Sequence, residues 1–296
     1  MTHYAGFDIG GTNARLALFD EEFKQVGASR RRIRDATEPE SVVEAMVELV
    51  AELHDDEVTS VGIGIAAQLG NGGEVVVNAP NLGWRDVPFA DLVRQAISPE
   101  VGVYNDLSAL LWGERHAGAA QGCDDVLAAF VGTGFGGAIL AGGELIDGAG
   151  GKAGEIGHCK VEVNGRMCGC GQRGCAEAYV SGVHLERQLA DLGLDIDLAA
   201  ADDMARKGNG PVHDIWRHAT DLLAITIANA VTLLNPSVLL LGGGVLDNLG
   251  YFREETLSKI LPQVLAASLP ELEVRFAELG DEAGVLGAAL LAAGKA

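Results

Sequence analysis

Apolar residues along this chain come in short runs that end on glycines. Residues 4–9 form one such run, which stops at Gly10-Gly11-Thr12-Asn13 and resumes over 14–19, a pattern that predicts a β-hairpin. The same figure returns later. Residues 126–131 lead into Gly132-Thr133-Gly134-Phe135-Gly136-Gly137, followed by apolar positions 138–140 and a second turn at Gly142-Gly143. Between the two, spacing predicts a helix over 40–53, a buried strand over 60–65, a strand over 101–104 and an amphipathic helix over 106–117. Further helices are predicted around 184–192 and over 211–234, and a strand over 237–241 then meets Gly242-Gly243-Gly244.

Alternating strands and helices predict an α/β protein, and the repeated hairpin predicts two related halves facing a cleft. No Pro/Ser-rich linker marks the join. The boundary is expected near residue 115, because the second hairpin must start soon afterwards. The small apolar segment 284–293 predicts a helix that returns to the first half. Residues 1–115 with 284–296 would then form a small lobe, and 116–283 a large one.

Composition narrows the function classes. With 296 residues, 48% hydrophobic, the chain can bury one large core or two ordinary ones. Its 42 acidic residues against 21 basic ones create a field that repels phosphate backbones and anionic lipid, so no nucleic-acid or membrane partner is expected. The longest apolar runs, such as 238–241, fall far short of the roughly 20 residues a bilayer requires. With no basic and apolar leader at the start, a cytoplasmic location is expected.

Residues 132–137 carry dinucleotide-like glycine spacing, yet a strand follows them rather than a helix, and no P-loop signature occurs. Glycine turns between strands expose backbone N–H groups at close range, and Thr12 and Thr133 each add a hydroxyl. Two such turns, with Asp8 before the first, suit a polyphosphate.

Five cysteines are too few for a disulfide framework, and three crowd together. His158, Cys168, Cys170 and Cys175 make a Cys3His set that suits a closed tetrahedral zinc, structural because no position is left for water. Glycines at 169, 171 and 174 let the chain wrap an ion, and Arg166 and Arg173 are expected to offset thiolate charge. Cys123 and Cys159 read as buried thiols. Asn105-Asp106 sets a carboxylate between a strand and a helix, where Asp106 suits either a helix cap or a base.

Asp8-Ile9-Gly10-Gly11-Thr12 and Gly132-Thr133-Gly134 resemble the two phosphate motifs of the actin, sugar kinase and heat-shock ATPase superfamily. Gly242-Gly243-Gly244 after Asn235-Pro236 resembles its adenosine motif. The stretch from Gly154-Glu155-Ile156-Gly157-His158 through Cys168, Cys170 and Cys175 to Glu177 resembles the hallmark of the ROK family, over nearly the whole chain. That resemblance implies a two-lobed, actin-like, duplicated RNase H-like fold with a central cleft, a homodimer, and ATP-dependent phosphorylation of a hexose, glucose favoured. It implies Asp106 as general base, and sugar contacts from Asn81, Asn105, Asp106, Glu155, His158 and Glu177, with His158 binding zinc through its other ring nitrogen. ATP and Mg2+ would be held by Asp8, Gly10, Gly11, Thr12, Asn13, Gly132, Thr133, Gly134, Gly243 and Gly244.

Two places depart from the family pattern: Asn13-Ala14-Arg15, where many members have Lys, and Ala66-Ala67-Gln68, where Pro-Gly is common. N-acetylglucosamine, N-acetylmannosamine, mannose or fructose are the alternative acceptors, and polyphosphate the alternative donor. A sugar-sensing regulator is the alternative class. Family repressors carry a helix-turn-helix domain before the first phosphate turn, and Asp8 already lies in that turn.

Overall fold

The computed structural model describes residues 3–33, 38–53, 58–97, 100–208 and 210–295. Its chain divides into two units. The first runs to Gly122 and takes back Leu145–Ala153 and everything from Ala277; the second comprises Cys123–Glu144 and Gly154–Phe276.

In the first unit, β1 (His3–Ile9) and β2 (Asn13–Phe19) form the expected hairpin, with Ile9 opposite Ala14. An edge strand follows, β3 (Gln25–Arg32), then α1 (Pro39–Leu53) and β4 (Val58–Ile65), which lies parallel to β1. A small antiparallel sheet of β5 (Gln68–Gly70), β6 (Val75–Ala79) and β7 (Trp84–Val87) comes next. The unit continues through α2 (Phe89–Ala96), β8 (Val101–Asn105) and α3 (Asp106–Ala117). The main sheet has the order β3-β2-β1-β4-β8. Ala5, Phe7 and Ile9 of β1 and Val61, Ile63 and Ile65 of β4 join Val42, Met46 and Leu49 of α1 in one buried cluster, as the period-2 pleat requires. The hydrophobic pattern does not foretell β3, whose Gln-Val-Gly-Ala-Ser-Arg-Arg-Arg has no apolar face. Pairing with β2 holds it, as do ion pairs from Arg31 to Glu48 and Glu52 of α1.

The second unit repeats the arrangement. Its elements are β9 (Val126–Val131), β10 (Phe135–Ala141), β11 (Glu144–Leu145), α4 (Glu177–Val180), α5 (Gly182–Asp191), α6 (Leu198–Arg206) and α7 (Pro211–Leu234). Then come β12 (Val238–Gly242), α8 (Gly244–Asn248), α9 (Gly250–Ile260) and β13 (Glu273–Phe276). The sheet order β11-β10-β9-β12-β13 matches the first: a hairpin, then parallel strands on its inner side. Helix α7 buries Trp216, Leu223, Ile227 and Val231 in that unit's core.

The expected returning helix is α10 (Asp281–Ala292), which packs on β1, β4 and α3 of the first unit. Glycines make the contact a backbone-to-backbone one. A methyl at Gly6, Gly62 or Gly113 would overlap the carbonyl oxygens of Val285, Ala288 and Ala283 of α10, and one at Gly287 would overlap that of Ala109 of α3. Gly62→Ala is therefore expected to lower unfolding stability by about 1–3 kcal/mol, the usual cost of overpacking. The check is a lower urea midpoint at unchanged m-value; an unchanged midpoint would contradict the packing.

The units exchange chain later than the expected boundary at 115, and α10 begins before 284. Glu114, fully buried, accounts for this. Its Oε2 accepts the Ala119 N–H at 2.7 Å, just before the chain leaves at Gly122. Its Oε1 accepts the N–H groups of Glu278 and Leu279 at 2.9 and 2.8 Å, just after the chain returns. The segment Leu145–Ala153 also belongs to the first unit, where Lys152 Nζ donates to the Leu69 carbonyl at 3.3 Å.

Candidate functional site

Strands β1, β4 and β8 run parallel, and Ile9, Ile65 and Asn105 stand in one row of the register. The three chain segments that follow therefore emerge at one edge of the sheet, the carboxyl edge where ligands of open α/β sheets gather. From β1 comes the first glycine turn, closed by Gly10 N–H on the Asn13 carbonyl at 3.0 Å, with Thr12 exposed. A Cβ on Gly11 would lie 2.8 Å from Asn81 Cβ, so Asn81 rests directly against this turn, and only glycine permits the approach. From β4 come Ala66-Ala67-Gln68. Ala67 N–H folds back on the Ile65 carbonyl at 2.8 Å, and Gln68 pairs with Asn78 in the small sheet.

From β8 comes Asp106. Asn105, not Asp106, caps α3: its Oδ1 accepts the N–H groups of Leu107 at 3.0 Å and Ser108 at 3.3 Å. That corrects the capping alternative. Asp106 is the first helical residue, half-buried, its Oδ1 accepting from Leu107 N–H at 3.0 Å. A Cβ on Gly64 would reach 3.6 Å from Asp106 Cα, so the bare strand lets the helix start sit close. Asp8 is held by Arg15 at 3.2 Å, and Arg15 reaches on to Asp281 at 2.7 Å. Burial pushes the Asp8 carboxyl upward, against the opposing pull of Arg15.

In the second unit, β9 and β12 run parallel with Phe130 beside Gly242. The second glycine turn follows β9 and is closed by Gly132 N–H on the Gly134 carbonyl at 2.9 Å, with Thr133 and Gly134 exposed. Gly243, at φ 94°, lies so near that a Cβ there would stand 2.7 Å from the Val131 carbonyl oxygen. The second turn and the Gly243-Gly244 segment are thus adjacent. Gly157 packs on the Phe135 carbonyl with no room for a methyl, which fixes the Glu155 to His158 loop against β10.

The ligand atoms of His158, Cys168, Cys170 and Cys175 all lie within 4.8 Å of one another. Cys168 Sγ is 3.7 Å from His158 Nδ1, and Cys170 Sγ is 3.7 Å from Cys175 Sγ. Bonds of about 2.3 Å for sulfur and ~2.0 Å for nitrogen at tetrahedral angles give edges of roughly 3.5–3.8 Å, so the donor set fits zinc. His158 Nε2 points the other way, 3.7 Å from Glu155 Oε2. Burial pushes the Cys168 thiol well up, and the Glu177 carboxylate adds to it; a cation taking the proton's place would relieve both. Gly171 and Gly174 take the left-handed conformation that wraps this loop.

Several expectations are corrected here. Arg166 pairs with Asp191 at 3.1 Å and Arg173 donates to the Gly165 carbonyl at 3.2 Å, so neither serves the thiolates. Lys160 does, with Nζ 2.9 Å from Cys175 Sγ, which holds its ammonium form up. Cys159 is exposed and Cys123 half-buried, so neither is a buried thiol. Sequence reasoning also missed Glu162, which accepts from the Tyr179 hydroxyl at 2.6 Å and pairs with His218 of α7 at 2.8 Å, tying the cysteine loop to that helix. No local pattern marks that contact, because its members are up to 56 positions apart in the chain (218 − 162). Among the described residues, no helix is long and apolar enough to cross a membrane.

Known proteins are similar to this chain over nearly its whole length. Glucokinase of Streptomyces coelicolor is 32% identical, over 97% of this chain and 96% of its own. The N-acetyl-D-glucosamine kinase of Haemophilus influenzae is also 32% identical, over 97% of this chain and 98% of its own. The crystal structure of a ROK family glucokinase from Streptomyces griseus in complex with glucose and AMPPNP superposes with a TM-score of 0.81 at 33% identity, covering 99% of both chains. The fold is the two-lobed sugar-kinase fold. Residues 4–295 match the ROK family, and the chain belongs to it.

Proposed function

We propose that the protein is an ATP-dependent hexokinase that phosphorylates glucose to glucose 6-phosphate, with Asp106 as general base. The observation that carries this reading is the shared edge of the first sheet, where Asp106, Asn81 and the Gly10 to Thr12 turn stand together. A sugar hydroxyl becomes an effective nucleophile only when its proton has somewhere to go as the bond to phosphorus forms, and one carboxylate suffices. Asn81, Asn105 and Asp106 of the first unit and Glu155, His158 and Glu177 of the second are assigned to the sugar hydroxyls. Asn105 would act through its amide N–H, since its Oδ1 caps α3.

Backbone N–H groups of Gly10, Gly11, Thr12 and Asn13 and of Gly132, Thr133 and Gly134 would bind the phosphates, and Gly243 and Gly244 the adenosine. Mg2+ near Asp8 would supply charge neutralisation on the transferring phosphoryl group. Zinc on His158, Cys168, Cys170 and Cys175 would supply rigidity. Asp106 would take the hydroxyl proton as the phosphoryl group transfers in line.

A coupled ADP assay over glucose, N-acetylglucosamine, N-acetylmannosamine, mannose and fructose tests the reading. Glucose is expected to give the highest kcat/KM. No phosphorylation of any sugar would refute the kinase. N-acetylglucosamine is the second reading, because a kinase named for it shares the same 32% identity with this chain as the glucokinase does. A higher kcat/KM for that sugar would establish it.

A further inference from the structure

Glu177 opens α4 two residues after Cys175. Its Oε2 accepts the Phe135 N–H at 3.0 Å, at the point where the second glycine turn becomes β10. Its Oε1 is 3.3 Å from Cys168 Sγ. One side chain therefore spans from the cysteine cluster to the phosphate turn. Gly134 shows how close this contact is: a Cβ there would stand 2.9 Å from Glu177 Oε2, with the next nearest atom, Glu177 Cδ, at 3.9 Å. Five residues further on, Gly182 N–H donates to the Gly132 carbonyl at 2.8 Å. Both ends of the turn are thus held by one short segment that begins beside a cluster ligand.

We propose that Glu177 is a positioning residue that couples sugar binding to nucleotide binding, being shared between a sugar hydroxyl and the Phe135 N–H beside the second turn. This rests on the kinase reading above. A carboxylate has about four lone-pair sites, so Oε1 can accept from a sugar while Oε2 keeps Phe135. A hydroxyl on Oε1 fixes the carboxylate, and the fixed carboxylate orders the turn before the nucleotide arrives. Ordering already paid by the first ligand is not paid by the second, which makes the cooperativity positive. By linkage the effect is reciprocal: nucleotide tightens sugar by the same factor.

Calorimetric titration of AMP-PNP with Mg2+, with and without saturating sugar, tests it. The sugar is glucose or N-acetylglucosamine, whichever gives the higher kcat/KM. In the wild-type protein sugar is expected to tighten AMP-PNP by about 5-fold or more, within the usual range for allosteric coupling. Gly134→Ala, whose methyl meets only the Glu177 carboxylate, is expected to cut the factor below ~2 with an unchanged melting temperature. Glu177→Asp, one methylene too short to span both contacts, is the second variant and should do the same. Absence of coupling in the wild type, or full coupling retained in either variant, would overturn the proposal. Those results leave the kinase reading standing, whereas a wild-type protein that phosphorylates no sugar removes both.

Discussion

Asp106→Asn is expected to lower kcat by about 10²–10⁴-fold while sugar affinity stays close to wild type, because the variant removes the proton acceptor and keeps the side chain's size and its Oδ1. Asn keeps an Oδ1 in place to accept the Leu107 N–H, so the first turn of α3 retains its bond. The cap is untouched, since Asn105 supplies it. Loss of negative charge at a helix start costs only about 0.3–1 kcal/mol, so the fold persists. Turnover is read in the coupled ADP assay and sugar binding by calorimetry. Near-normal turnover would remove Asp106 as the base.

The second large effect concerns the cysteine cluster. Purified protein is expected to hold about one zinc per chain, and Cys175→Ser to lose it, because Cys175 is fully buried and touches Cys170 and Lys160. Zinc-finger peptides bind the ion with roughly 10–16 kcal/mol of apparent free energy, which in small domains is folding free energy. Here the surrounding core shares the task. A loss of ~3 kcal/mol is expected, lowering the melting temperature by about 6–12 °C. Sugar affinity should fall too, because His158 Nδ1 faces the cluster while Nε2 faces Glu155. A metal-free wild-type preparation with full stability and activity would defeat the assignment. Elemental analysis and a thermal melt suffice to check it.

Features written locally were legible in the sequence. Both glycine hairpins, the helix over 106–117 and the long helix α7 fall where period and punctuation place them. The Cys3His set declares itself by spacing. Features decided by distant partners were not. Strand β3 has no apolar alternation, and it exists because β2 offers a free edge and α1 offers Glu48 and Glu52. Lys160 looks like any surface lysine until the loop closes and brings Cys175 to it. Whether Asn105 or Asp106 caps α3 turns on a single residue of helix phase, which composition does not resolve. Glu114 reads as one more charge on an amphipathic helix, yet three backbone N–H groups, 5, 164 and 165 positions away, consume its carboxylate.

The glycine-lined seat of α10 bears on how the chain is made. Strands β1 and β4 leave the ribosome well before α10, the helix that covers Gly6 and Gly62. Until α10 is made, one face of the first sheet must wait without its cover, a non-local contact of the kind that slows folding and exposes nascent chains to aggregation. Gly6 and Gly62 present no side-chain hydrocarbon to a stray partner, so the apolar surface left waiting is that of Ala17 and Phe19, which pack with Val285 and Ala289 of α10. Loss of α10 would make that exposure permanent, so its deletion should be tolerated far less well than that of a helix with a single buried stripe, because most of its residues from Ala283 to Leu290 are buried.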